Sequence, residues 1–302
     1  MNKLSGLIAA TFTPMHEDGQ VNLEPIPAIV DRLVSNDIGG LYVCGSTGEG
    51  PALTSAERRD VAEAYVKATA GRIPVVVQVG HASNWEARDL AKHAAAIGAD
   101  ALSALPPTYF KPDSMDSLID CLSEVASGAP ELPFYYYHIP RLTDVSFSMA
   151  EMLRRAPEEL PSLAGIKFSS FMQHEFQQCV NLAEGRHTML FGVDESYVSG
   201  HALGAAGAVG SSYNFMAPIY HAARTAFDEG DAKRAFELQA EAGVLIRTML
   251  SYDGMAGFKT MMRTIGLDCG PSRLPLRSLD DAGRKALAAE LAAINAAQWL
   301  MK

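Results

Sequence analysis

Leu163-Ala164-Gly165-Ile166-Lys167-Phe168-Ser169-Ser170 is mostly apolar, too short for a helix and interrupted by a glycine. Such a run reads as a parallel strand buried on both faces. Strict alternation places Leu163, Gly165, Lys167 and Ser169 on one side and Ala164, Ile166 and Phe168 on the other. Bulky Ile166 and Phe168 suit a surface covered by helices, and Lys167 then points the opposite way. Seven further runs of this kind surround it, giving strands at 6–14, 40–45, 73–80, 101–107, 132–140, 163–170, 189–195 and 206–214. Their starts lie from about twenty to the mid-thirties of residues apart, the length of one strand-helix unit.

Helical patterns fill the intervals. Ile26, Ile29, Val30, Leu33 and Val34 repeat at helical spacing, as do Val61, Ala64, Tyr65 and Ala68. The second of these opens on Thr54-Ser55-Ala56-Glu57, a capping box, and stops at Gly71. Further helices are expected at 86–97, 115–125, 149–155, 174–183 and 197–203. Eight alternations predict an α/β fold, a (β/α)8 TIM barrel over about residues 1–216, in preference to an open doubly wound sheet. From about Ala217 the pattern is helical without strands: 219–229, 232–250, 258–265 and 281–300. This reads as a C-terminal helical layer over 217–302, too dependent on the barrel to stand alone, so that 1–302 forms a single domain.

The chain has 302 residues, 48 % hydrophobic and 20 % charged, which excludes disorder. Lys+Arg 25 against Asp+Glu 35 gives a net charge of −10, opposite to what nucleic acid binding requires. No apolar run approaches the ~20 residues of a membrane span. The N-terminal stretch has one lysine, Lys3, no convincing cleavage site, and an apolar part that reads as a strand. Cys44, Cys121, Cys179 and Cys269 are scattered without ligand spacing, so reduced thiols in a cytoplasmic protein are the plain expectation.

A barrel of this kind places its chemistry at the carboxyl ends of its strands. At the sixth end, Lys167 would face the barrel mouth, where desolvation lowers an ammonium's pKa and frees an amine to attack a carbonyl. A lysine that snorkels from the strand end to solvent has the same sequence signature. The fifth end, Phe134-Tyr135-Tyr136-Tyr137-His138-Ile139-Pro140, puts Tyr135 and Tyr137 on one face and Tyr136 and His138 on the other. A phenol at the mouth can relay protons beside a cation, or simply pack. His138 reads as a hydrogen-bonded structural residue facing the helices. The second end, Gly45-Ser46-Thr47-Gly48-Glu49-Gly50, is a glycine-rich turn with two hydroxyls that suits a carboxylate; it lacks the lysine of a nucleotide-binding P-loop. At the seventh, Asp194 and Glu195 either cap a helix, hydrogen-bond a polyhydroxylated ligand or hold a divalent metal, although no histidine stands at ligand spacing. The eighth carries Ser211, Ser212 and Asn214.

Taken together, GSTGEG at 45–50, YYYHIP at 135–140, GIKFSS at 165–170, FGVDE at 191–195 and GSSYN at 210–214 make the chain resemble the N-acetylneuraminate lyase/dihydrodipicolinate synthase family of class I, pyruvate-handling aldolases. The similarity runs over most of the chain, with five motifs in order, each at a strand end. It implies that Lys167 is the Schiff-base lysine, Tyr137 the proton-relay tyrosine, and Ser46 with Thr47 the receptor for a pyruvoyl carboxylate. Gly192, Asp194, Glu195 and Ser211 would contact sugar hydroxyls, and Ser169 supplies the small hydroxyl found beside the substrate. Tyr109 matches the tyrosine that reaches a neighbouring subunit's site, which implies a homotetramer. Dihydrodipicolinate synthases carry an arginine five residues after the relay tyrosine; here that position is Leu142, and Arg141 stands one place early.

The expected activity is therefore reversible cleavage of the sialic acid N-acetylneuraminate to N-acetylmannosamine and pyruvate. The chemistry would run through a covalent imine on Lys167, without a metal or separate cofactor. The alternatives are dihydrodipicolinate synthase, another 2-keto-3-deoxy sugar acid aldolase or dehydratase, a non-catalytic sugar-acid-binding paralogue, and a metal-dependent aldolase using Asp194 and Glu195.

Overall fold

Eight short parallel strands close on themselves in chain order in the computed structural model, which describes residues 4–302. They are Gly6–Ala10 (β1), Gly40–Val43 (β2), Val75–Gln78 (β3), Ala101–Ala104 (β4), Phe134–His138 (β5), Leu163–Phe168 (β6), Thr188–Phe191 (β7) and Gly207–Gly210 (β8). β8 pairs back onto β1, so the sheet has no free edge, and the (β/α)8 barrel stands as expected. Lys3 and the domain start at residue 1 lie outside the described residues.

The intervening helices are Ile26–Ser35 (α1), Ser55–Thr69 (α2), Asn84–Ala96 (α3), Met115–Ala126 (α4), Pro140–Thr143 (α5), Met149–Glu159 (α6), Gln173–Ala183 (α7) and Tyr197–Ala202 (α8). Their starts follow local chemistry. The Thr54 hydroxyl accepts the Glu57 amide while the Glu57 carboxylate accepts the Thr54 amide at 2.9 Å, completing the capping box of α2. The Ser83, Ser114 and Ser148 hydroxyls cap α3, α4 and α6 by accepting the amides of Glu86, Ser117 and Glu151, without the reciprocal half of the box. Ile26, Ile29, Val30 and Leu33 form the buried stripe of α1.

Two hydrophobic clusters divide the sheet. Ile8, Tyr42, Val76, Ala101, Tyr135, Tyr137, Leu190 and Val209 fill the inside of the barrel. Leu7, Leu41, Val77, Phe134, Tyr136, Ile166 and Phe168 pack outward with the helices. Each fully buried Val, Leu, Ile or Phe among them contributes about 1.5–3 kcal/mol.

Strict alternation fails at one place. Phe134 pairs with Leu163, but Tyr135 pairs with Gly165, so two residues of β6 oppose one step of β5. Leu163 consequently joins the outer cluster and Ala164 packs against the inner one, the reverse of the simple expectation. From Gly165 onward the phase is restored, which leaves Ile166 and Phe168 outside. A Cβ on Gly165 would lie 2.0 Å from the Thr188 carbonyl oxygen and 2.8 Å from the Tyr135 ring, so only glycine fits beneath Lys167.

The last quarter is helical from Ala217 onward: Ala217–Asp228 (α9), Ala232–Leu250 (α10), Met255–Thr264 (α11) and Asp281–Ala293 (α12). The helix expected to reach residue 300 stops at Ala293, and a 3-10 turn, Ala296–Trp299, follows Asn295, which is left-handed at φ 55°. Ala223, Leu238, Leu245, Met261 and Leu287 of this layer belong to the same cluster as the barrel's outer face. Among the described residues, no helix is long and apolar enough to cross a membrane.

Candidate active site

β6 carries Lys167 to the barrel mouth, where the side chain is only 4 % exposed. Its Nζ lies 3.9 Å from the ring centre of Tyr42 and 3.9 Å from that of Tyr137. Burial lowers the amine's pKa, while the Tyr137 phenol and the Asp194 charge oppose the shift. Two ring faces offer a cation about 0.5–2 kcal/mol each without supplying a counter-ion. A nitrogen in this place can lose its proton readily, yet a cation formed later on it is still accommodated. The snorkelling geometry is excluded.

Tyr42 was not singled out by sequence, because it lies inside β2, short of the strand end. Its hydroxyl donates to Ser103 Oγ at 2.8 Å, and that hydroxyl donates to the Tyr135 carbonyl at 2.9 Å, fixing the ring. A Cβ on Gly45 would approach the same ring to 2.8 Å, so the first glycine of the GSTGEG turn is there for clearance.

That turn stands on one side of a cavity of about 260 Å³ lined by Ser46, Thr47, Tyr137, Lys167 and Ser211. Thr13 Oγ1, on the loop after β1, donates to the Gly48 carbonyl at 2.6 Å and braces the turn. Ser46 Oγ is 3.5 Å from the Tyr137 hydroxyl, and Thr47 Oγ1 is 2.6 Å from Ser211 Oγ. Hydroxyls from three strand ends thus converge beside the lysine.

Ser169, Gly192, Asp194 and Glu195 line the cavity as well. A Cβ on Gly192 would come within 2.0 Å of Ser169 Oγ, so that glycine leaves room for the hydroxyl. Asp194 opens a short 3-10 turn, Asp194–Ser196, but does not cap it; its Oδ2 accepts the Ser212 amide at 2.9 Å and the Ser212 hydroxyl at 2.6 Å. Asp194 thus ties the ends of β7 and β8 together instead of capping the helix that follows it.

Burial raises the Asp194 carboxyl to about 6, against the pull of its Ser212 hydrogen bonds. The folded chain therefore binds this proton more tightly than the unfolded one, whose aspartate titrates near 4. The associated stability is whole below about pH 4 and lost as pH rises through 6. Asp194→Asn is expected to stabilise the chain by roughly 1–3 kcal/mol at pH 8. At pH 4 it should give no such gain, as read by chemical denaturation at both pH values.

The relatives bear on what this cavity does. Residues 3–294 match the model of the dihydrodipicolinate synthetase family. The chain belongs to that family. N-acetylneuraminate lyase A of Xenopus laevis is 43 % identical over 280 residues, covering 91 % of this chain and 92 % of the relative. N-acetylneuraminate lyase of Rattus norvegicus is 40 % identical over 298 residues, covering 97 % and 93 %. The solved structure of Proteus mirabilis N-acetylneuraminate lyase superposes with a TM-score of 0.94 at 37 % identity, over 97 % of this chain and 99 % of the other.

In this member of the dihydrodipicolinate synthetase family, two sequence expectations sit differently from the rest. Tyr109 does not line the cavity; it stands 82 % exposed on the loop between β4 and α4, edge-on to Phe110 with ring centres 5.0 Å apart. His138 does face the helical layer, 4.9 Å from the Phe168 ring, but its Nδ1 has no hydrogen-bond partner. Burial drops its pKa to about 4, so the ring is neutral at physiological pH.

Arg141 and Leu142, on α5, both line the cavity. A further wall comes from Ile246 and Leu250 of α10 and from Met255 and Phe258 of α11. Sequence reading missed this apolar wall because it treated the C-terminal layer as an addition outside the site. Among the described residues, no group of three His, Cys, Asp or Glu side chains could hold a metal ion.

Proposed function

We propose that the chain is an N-acetylneuraminate lyase, a class I aldolase that cleaves the open-chain sugar acid reversibly to N-acetylmannosamine and pyruvate. The observation that carries this reading is the enclosed Lys167 amine between two aromatic faces, with a hydroxyl-lined carboxylate seat on one side and Asp194 and Glu195 on the other.

The neutral amine adds to the C2 ketone, one proton is taken up from solvent as water leaves, and a protonated imine forms. The C3–C4 bond then breaks and its electron pair moves toward the imine carbon, giving a neutral enamine in place of a free carbanion. The proton of the C4 hydroxyl passes to Tyr137 as that carbon becomes an aldehyde, and a proton is returned to C3. Hydrolysis of the imine frees pyruvate and regenerates the amine. Ser46 and Thr47 hold the carboxylate throughout, while Ser169, Gly192, Asp194, Glu195 and Ser211 receive the sugar hydroxyls. No external cofactor enters this cycle, because the imine supplies the electrophile.

We further infer a cytoplasmic homotetramer in which Tyr109 reaches a neighbouring copy's site. Tyr109 and Phe110, 82 % and 85 % exposed, support this as an uncovered aromatic pair. A second reading, dihydrodipicolinate synthesis, draws on Arg141 at the cavity wall. Leu142 at the fifth position after Tyr137 favours the lyase.

The test is to compare release of pyruvate from N-acetylneuraminate and from 2-keto-3-deoxygluconate, with the preparation's mass measured by sedimentation. The lyase reading predicts preferred cleavage of the former, by a tetramer. Preference for the latter overturns the substrate, and a monomer overturns the role of Tyr109.

A further inference from the structure

Glu49 closes the turn that carries Ser46 and Thr47, and it is held from outside the barrel. Its side chain is 2 % exposed and its backbone is left-handed at φ 55°, a conformation that residues with a Cβ rarely adopt. Such backbone persists only where surrounding contacts over-determine it. Here they come from the C-terminal layer. Lys259 of α11 donates to Glu49 Oε1 at 2.7 Å and to the Pro271 carbonyl at 2.6 Å. The Arg273 amide donates to Glu49 Oε2 at 2.8 Å. Arg273 is anchored in turn, through its guanidinium on Glu57 at 2.7 Å and on the Gly19 carbonyl at 2.9 Å.

Both carboxylate oxygens of Glu49 are therefore occupied, two residues from Thr47. Unpaired, this charge would repel an anion seated on the Ser46 and Thr47 hydroxyls; Lys259 cancels it. The same helix contributes Met255 and Phe258 to the cavity wall. The C-terminal layer thus grips the loop and borders the site at once.

We propose that Glu49 is a positioning residue for the substrate carboxylate, clamped by Lys259 and Arg273 so that the C-terminal layer sets the affinity of the Ser46–Thr47 seat. This rests on the lyase reading above. It goes beyond that reading in giving residues remote from the reacting atoms a measurable part in binding.

The experiment measures imine trapping by borohydride over a range of pyruvate concentrations, alongside KM and kcat for N-acetylneuraminate cleavage. Lys259→Met is compared with Glu49→Gln/Lys259→Met, which leaves no unpaired buried charge and so keeps a folded form available. In each folded variant, half-saturating pyruvate and KM are expected to rise about tenfold or more while kcat changes less than about threefold. A folded variant that melts earlier but retains wild-type half-saturation overturns the proposal, as does a fall in kcat alone.

Hydrogen exchange on the wild type gives an independent readout. Pyruvate is expected to protect residues 255–264 together with 45–50, and protection confined to the loop contradicts the clamp. Failure of the wild type to trap pyruvate at all would instead sink the lyase reading, so the two failures are distinguishable.

Discussion

Lys167→Met is expected to abolish cleavage of N-acetylneuraminate, with turnover falling by on the order of 10⁵ or more. The loss is this large because no other group in the cavity can replace the electron sink. Hydroxyls, a phenol, two carboxylates and the Arg141 guanidinium line the cavity with the lysine, and none of them forms a stable imine with a ketone. The variant is expected to remain folded. Methionine fills nearly the same volume between the Tyr42 and Tyr137 rings, and it removes an amine that burial makes costly to charge. An apolar side chain of like shape avoids the desolvation cost of carrying a charge in this place. The melting temperature of Lys167→Met should therefore equal or exceed that of the wild type. Residual cleavage within about a hundredfold of wild type would show that the chemistry does not pass through this nitrogen.

Tyr137→Phe has a different signature. The ring stays, so the face 3.9 Å from Nζ and the edge-to-face contact with Tyr42, with centres 5.7 Å apart, are retained. Only the hydroxyl goes, and with it the 3.5 Å contact to Ser46 Oγ. Turnover is expected to drop by about 10²–10⁴, the range for loss of a positioned proton carrier. Pyruvate should still form a trappable imine, because the amine and its desolvated setting survive. Measuring single-turnover cleavage and imine trapping on the same variant separates the two steps. Normal turnover would remove Tyr137 from the relay, and lost trapping would reassign it to imine formation.

Much of this architecture is legible in the residues themselves. Short apolar runs bounded by glycine and proline mark the strands, and Thr54 with Glu57 announces α2, because capping is a local event. The change of pattern at Ala217 marks the start of the C-terminal helices. The strands are shorter than the apolar runs suggest, for a physical reason. Thr11, Thr13, Ser211 and Asn214 look like strand residues, yet they serve the loops: Thr13 braces Gly48, and the Asn214 side chain donates to the Ala10 carbonyl at 2.7 Å.

The bulge at Leu163 and Ala164 leaves no signature, since it is a matter of register between two strands. Simple alternation still places Lys167 on the correct side, because the phase is recovered at Gly165. The role of Tyr42 depends on depth within the barrel, which a single strand does not reveal. The contact of Glu49 with Lys259 joins positions 210 residues apart and was beyond any local pattern. The apolar wall from α10 and α11 escaped for the same reason.

Borohydride reduction in the presence of pyruvate, followed by peptide mass mapping, reaches the central point most directly. A pyruvate-derived adduct on the Lys167 peptide, absent from Lys167→Met, is the predicted result. An unmodified Lys167, or label on another lysine while cleavage proceeds normally, contradicts the account.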